Sequence, residues 1–143
     1  MILISHRGNI NGPNPFEENK PYYIQRALDL GFDVEIDVWL SNSSFMLGHD
    51  KPMWTIDINF LLKSGLWCHA KTIDCLYALL VLPGVNCFFH DKDEATLTSN
   101  GYIWTLPGKK LTPNSICVLP ELYLTDNLSI PCGICSDYIK NYK

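Results

Sequence analysis

Short apolar runs alternate with polar connections along the whole chain, and few of the runs show the in–out alternation of a sheet with one wet face. Runs of this kind read as strands buried on both faces. The first, Ile2-Leu3-Ile4-Ser5, ends at His6-Arg7-Gly8. Residues 9–16, rich in Asn, Gly and Pro, predict an irregular loop. Asn19 followed by Pro21 predicts the N-cap and first turn of a helix, with Tyr23, Ile24, Ala27 and Leu28 at helical spacing and Gly31 as its stop.

Residues 33–38, Asp-Val-Glu-Ile-Asp-Val, alternate strictly. As a strand they put Val34, Ile36 and Val38 on one face and Glu35 and Asp37 on the other. Two carboxylates on one interior face repel each other unless a proton or a cation joins them. A polar turn at 41–44 leads to a further short strand, 45–49, ending at His49-Asp50 and pairing outside the main series. Residues 55–63 predict a short helix closed by Gly65. The strand 66–71 then sets His69 and Lys71 on one face. Thr72 caps a helix whose predicted buried side is Ile73, Leu76, Tyr77, Leu80 and Val81, stopped by Pro83-Gly84. Strands follow at 85–90, 102–105, 116–119 and 133–137, with a helical turn at 94–99 and non-helical connections at 106–114 and 120–132.

Seven strands in this rhythm predict a mostly parallel sheet in the α/β class. His6, His49, Lys71, His90, Glu121 and Asp137 stand at strand ends, where parallel barrels and open parallel sheets both build their sites. No Gly-x-Gly-x-x-Gly follows the first strand, which argues against a dinucleotide fold.

A length of 143 residues fits one domain over 1–143. With 47% hydrophobic and 18% charged residues the chain is globular rather than disordered. The net charge of −4, without any basic run, excludes the electrostatic footprint of a nucleic-acid binder. Apolar runs too short for a bilayer, and an opening without signal-peptide character, predict a cytoplasmic protein with no stable membrane insertion. Of six cysteines, Cys68, Cys87 and Cys117 sit in apolar runs, and Cys132 and Cys135 form a lone Cys-x-x-Cys. Buried free thiols are the expectation and structural zinc the rival.

The series His6-Arg7-Gly8, Glu18-Asn19, Glu35-x-Asp37-Val38 and His49-Asp50 resembles the motif series of the glycerophosphodiester phosphodiesterases. His69-Ala70-Lys71 falls where that family has a Glu-x-Lys strand, and residues 133–138 resemble its final strand. The resemblance implies a TIM-like barrel and hydrolysis of a glycerophosphodiester or related phospholipid head-group diester. It makes His6 and His49 the acid–base pair, Arg7 and Lys71 the phosphate holders, and Glu35, Asp37 and His69 the ligands of a divalent metal ion (Mg²⁺, Ca²⁺ or Mn²⁺). The chemistry is coherent. Phosphodiester cleavage needs charge neutralised on the non-bridging oxygens, a base for the nucleophile and an acid for the leaving alkoxide.

Two departures alter the expectation. His69 replaces a carboxylate, which removes one negative charge and shifts preference toward Mn²⁺ or Zn²⁺. The chain is also short against the roughly 250 residues typical of such barrels. A reduced barrel with short or missing helices is therefore expected, especially after residue 90, with an exposed flank suited to a homodimer. The rival reading is a catalytically inactive module that binds a phosphate ligand.

Overall fold

The computed structural model describes residues 1–123 and 127–143. Among the described residues ten strands form one sheet: β1 (Ile2–His6), β2 (Asp33–Ser41), β3 (Ser44–Leu47), β4 (Trp54–Ile56), β5 (Leu66–Ala70), β6 (Cys87–Phe88), β7 (Ala95–Leu97), β8 (Ile103–Thr105), β9 (Ser115–Val118) and β10 (Gly133–Ser136). Its helices are α1 (Pro21–Asp29), α2 (Ile58–Leu61) and α3 (Ile73–Leu80). The protein is thus mixed α/β, with a mostly parallel sheet and few helices.

Seven strands run parallel in the order β8-β9-β10-β1-β2-β5-β6. They are the seven that the apolar runs predict. Beyond β8 lies antiparallel β7. The sheet curls there, because Ser99 donates its N–H to the Cys87 carbonyl (2.8 Å) and Thr96 Oγ1 donates to the Phe89 carbonyl (2.9 Å), tying this edge to β6. The far half of β2 leaves the parallel series and pairs antiparallel with β3. Asn42 (φ 48°) and Ser43 (φ 61°) make the two-residue turn between them, the left-handed pair that suits the twist of a hairpin.

The curl gives the sheet two different faces. Val34, Ile36, Val38, Cys68 and Ala70 point outward and pack with Ile24 and Ala27 of α1 and Cys75 and Leu79 of α3. Ile4, Trp67, Phe88, Trp104, Ile116, Val118 and Cys135 point inward as a separate cluster. Rings from opposite sides meet there: Trp67 lies 5.9 Å from Trp104 and Phe88 4.5 Å from Trp104, between centroids. Among the described residues no α-helix follows β6, only 3-10 turns at Pro120–Leu122 and Ile139–Tyr142, and no helix is long and apolar enough to cross a membrane.

Several local expectations are corrected. Lys20, not Asn19, is the N-cap of α1 and makes no side-chain cap; Asn19 is left-handed (φ 63°), and its side chain serves Asp37 instead. Residues 55–63 divide into β4 and the single turn of α2, which Asp57 caps by accepting from the Phe60 N–H. The predicted helical turn at 94–99 is β7, because its backbone pairs with β8. Thr72 caps α3 as expected, accepting from the Cys75 N–H, but Cys75 and Leu79 face the sheet while Ile73, Tyr77, Leu80 and Val81 are exposed. That helix is apolar nearly all round, so its period cannot choose a face. Of the connection 120–132, residues 124–126 lie outside the described residues.

All six cysteines are free thiols. Cys132, half-buried, immediately precedes β10, and Cys135 is buried within it.

Candidate active site

Strand alternation turns His6, Glu35 and His69 into the curl above the inner apolar cluster. Parallel register sets His6 beside Glu35 and Asp37 beside His69. The chain ends β1 with Arg7 and Gly8 in left-handed conformations (φ 55° and 92°). A side chain at Gly8 would meet Tyr23 Cδ1 at 2.6 Å, so this turn requires glycine. Arg7 is thereby aimed back over the strand ends, into a cavity of about 810 Å³ lined by every predicted site residue except the deeply seated Asp37.

Asp37 is the hub and is fully buried. Its Oδ1 lies 3.1 Å from His69 Nδ1 and 3.0 Å from Lys71 Nζ. Its Oδ2 accepts from Asn19 Nδ2 (2.8 Å) and lies 3.0 Å from Arg7 Nε, whose N–H is not aligned for a hydrogen bond. Burial alone would raise the Asp37 carboxyl. The His69 hydrogen bond and the Arg7 and Lys71 charges outweigh it and hold the group far below the usual carboxylate range. Glu35 sits between the imidazoles, 3.8 Å from His6 Nε2 and 3.7 Å from His69 Nδ1. Its Oε2 is buried without a hydrogen-bond partner.

This surplus of carboxylates favours the protonated forms of His6 and His69. Burial opposes the proton on His69, yet its hydrogen bond to Asp37 and the adjacent Glu35 carboxylate bring it up to about 8. His6 is likewise penalised by burial and raised above its usual value by Asp137 and Glu35. Four carboxyl groups, Glu18, Glu35, Asp37 and Asp137, face two fixed cations, Arg7 and Lys71. Protons on the imidazoles offset the difference; a dication would do the same.

Glu35, Asp37 and His69 offer ligand atoms within 4.8 Å of one another. Two ligands about 2.1 Å from one metal lie roughly 3.0–3.4 Å apart, close to the 3.1 Å and 3.7 Å that separate His69 Nδ1 from its two carboxylates. Glu35, Asp37 and His69 are thus the residues that could hold a divalent ion, provided Nδ1 gives up its proton and the carboxylates draw closer together.

Six of the seven predicted residues, His6, Arg7, Glu35, Asp37, His69 and Lys71, form this one connected cluster. His49 stands apart at the cavity rim, its side chain 46% exposed and 2.7 Å from Asp50.

Residues outside the predicted set complete the site. Asp137 Oδ1 holds His6 Nδ1 at 2.8 Å and accepts from Asn9 Nδ2, which also donates to Glu18. Glu121 steadies that turn by accepting from the Asp137 N–H and Ser136 Oγ. His90 stacks on His69 with ring centroids 4.4 Å apart, and burial followed by the His69 charge lowers it toward the neutral form. The positions of Asp137, Glu121 and His90 at strand ends were the available signal; nothing in the sequence marks Asn9, and Asn19, though part of the Glu18-Asn19 motif, reads there as a helix cap.

Comparison of the chain with protein-family models, with curated proteins and with solved structures returns no match.

Proposed function

We propose that this protein is a metal-dependent phosphodiesterase acting on a glycerophosphodiester or related head-group diester, built on a reduced (β/α) barrel. The observation that carries this reading is the convergence of imidazoles, guanidinium, ammonium and a partly unsatisfied carboxylate pair at the C-terminal ends of parallel strands.

A carboxylate only accepts, so His6 Nδ1 carries the proton donated to Asp137, and Nε2 is left as the atom that exchanges a proton in the cavity. Asp137 thus positions His6. Arg7 and Lys71 supply donors and positive charge for the phosphoryl oxygens. Glu35, Asp37 and His69 would hold a divalent ion, which supplies Lewis-acid neutralisation of a non-bridging oxygen. His49 faces the same cavity from the rim and takes the second proton-transfer role.

The test is phosphorus NMR of a panel of glycerophosphodiesters with the purified protein. Turnover is expected to disappear on chelation and in His6→Ala. Full turnover by the His6→Ala/His49→Ala double variant would defeat the reading. The second reading, a phosphate-binding module without turnover, is favoured by the exposure of His49 and its pairing with Asp50; it predicts thermal stabilisation by ligand with no product.

A further inference from the structure

The cavity has two unlike sides. The strands β1, β2, β5 and β6 and their ends contribute His6, Arg7, Glu35, His69, Lys71 and His90. The neighbouring strands β8 and β9 and their ends contribute Trp104, Leu106, Pro107, Val118 and Leu119, none of them ionisable and none with a side-chain hydrogen-bonding group except the Trp104 indole. Trp104 and Val118 belong to the inner apolar cluster, and Leu106 and Leu119 pack against it while remaining partly open to the cavity. The apolar wall is therefore continuous with the core below and shares the cavity with the phosphate-holding side.

A triol such as glycerol exchanges several hydrogen bonds with water for whatever its pocket offers, and each one left unmade costs binding. The β8–β9 wall offers almost none. An alkyl chain loses nothing there and gains about 0.8 kcal/mol per buried methylene, roughly fourfold in affinity. A cavity of about 810 Å³ exceeds what a phosphate with a three-carbon polyol fills.

We propose that the β8–β9 wall binds the alcohol of the substrate and that this alcohol is aliphatic: the preferred diester carries an alkyl chain on one side of its phosphate rather than bare glycerol. This rests on the phosphodiesterase reading for the location of the phosphate, but not for the chemistry performed there.

Calorimetric binding of ethyl, butyl and hexyl phosphate and of glycerol 3-phosphate separates the alternatives without requiring turnover. Affinity should rise at least tenfold from ethyl to hexyl phosphate, with glycerol 3-phosphate near the ethyl ester. Leu106→Gln should flatten that slope, and Val118→Ala should lower it if Leu106→Gln fails to fold. A flat series, or tightest binding of glycerol 3-phosphate, overturns the proposal. Diester turnover with a flat series removes the aliphatic assignment and leaves the enzyme; a rising series without turnover removes the enzyme and leaves the wall. No binding of any of these phosphates overturns both.

Discussion

The half of the curled sheet running from β1 through β2 and β5 to β6 and the half formed by β8 and β9 are made of the same parallel pairing, yet their inner faces are organised by different physics. On the first, the inward polar groups are tied to one another through shared carboxylates: Asp37 alone joins Arg7, Lys71, His69 and Asn19. On the second, Trp104, Ile116 and Val118 touch through side chains that need only fill space. Their backing differs too, since α1 and α3 pack behind the first half and no α-helix among the described residues follows β6. Interlocked charges should be intolerant of single changes, because removing one partner strands the others. A packed wall should lose only what each side chain buries.

The sharpest break of this contrast is Asp37→Asn. It keeps the shape but strips Arg7 Nε and Lys71 Nζ of the buried carboxylate they share, and it should cost about 3–5 kcal/mol in urea unfolding. Val118→Ala on the opposite wall should cost about 1–3 kcal/mol. Equal losses at the two positions would show that the charged half is no more tightly coupled than the apolar one.

Asp137→Asn tests positioning rather than stability. The amide can still meet His6 Nδ1, but it holds the imidazolium less strongly, so the His6 pKa should fall. We expect turnover reduced about 10- to 100-fold, with the limb of the pH–rate profile that His6 controls moved to lower pH. A uniformly lower profile at unchanged pH would assign Asp137 a structural role only.

With chelator present, stability should carry a pH signature set by the charged half. His69 is raised to about 8 in the fold against about 6.5 unfolded, and His6 is raised as well. A raised histidine stabilises fully below its unfolded pKa and loses that contribution as pH rises through the folded one. For His69 the loss is about 2 kcal/mol between roughly pH 6.5 and 8. Asp37 and Asp137 are depressed, so they stabilise above about pH 4 and lose that contribution on further acidification. Chelated protein should therefore unfold most reluctantly near pH 5–6.5. A stability that keeps rising to pH 9 would contradict the charged imidazoles.

What the sequence made legible follows the same division. The strand series was readable because buried parallel strands are short apolar runs, and the pairs Glu35/Asp37 and His69/Lys71 were readable because alternation within a strand fixes the side of the sheet, whereas His6 and Arg7 were legible only through the motif they resemble. The role of Asn19 was not: the pattern Asn-x-Pro suits a helix cap, and only the fold shows its amide spent on Asp37, 18 positions away. The bond from Asp137 to His6 spans 131 positions and depends on β10 closing against β1. The apolar wall reads as ordinary core, since nothing local distinguishes an aliphatic side chain that faces a cavity from one that faces its neighbours.

The smallest expected effect concerns the back of the charged half. Periodicity on α3 offers two apolar stripes, and the fold buries Cys75 and Leu79 while Tyr77 and Leu80 are 71% and 56% exposed. Leu79→Ala removes a fully buried side chain and should cost about 2–5 kcal/mol. Leu80→Lys, one position on, should change stability by no more than about 0.5 kcal/mol, since an exposed helical site accepts a long straight side chain at little cost. Thermal unfolding of the two variants side by side measures which stripe faces β2 and β5. If Leu80→Lys proved the more damaging, α3 would be rotated about its axis, and Thr72, its cap, could not lead directly out of the strand that carries His69 and Lys71 with the site geometry intact.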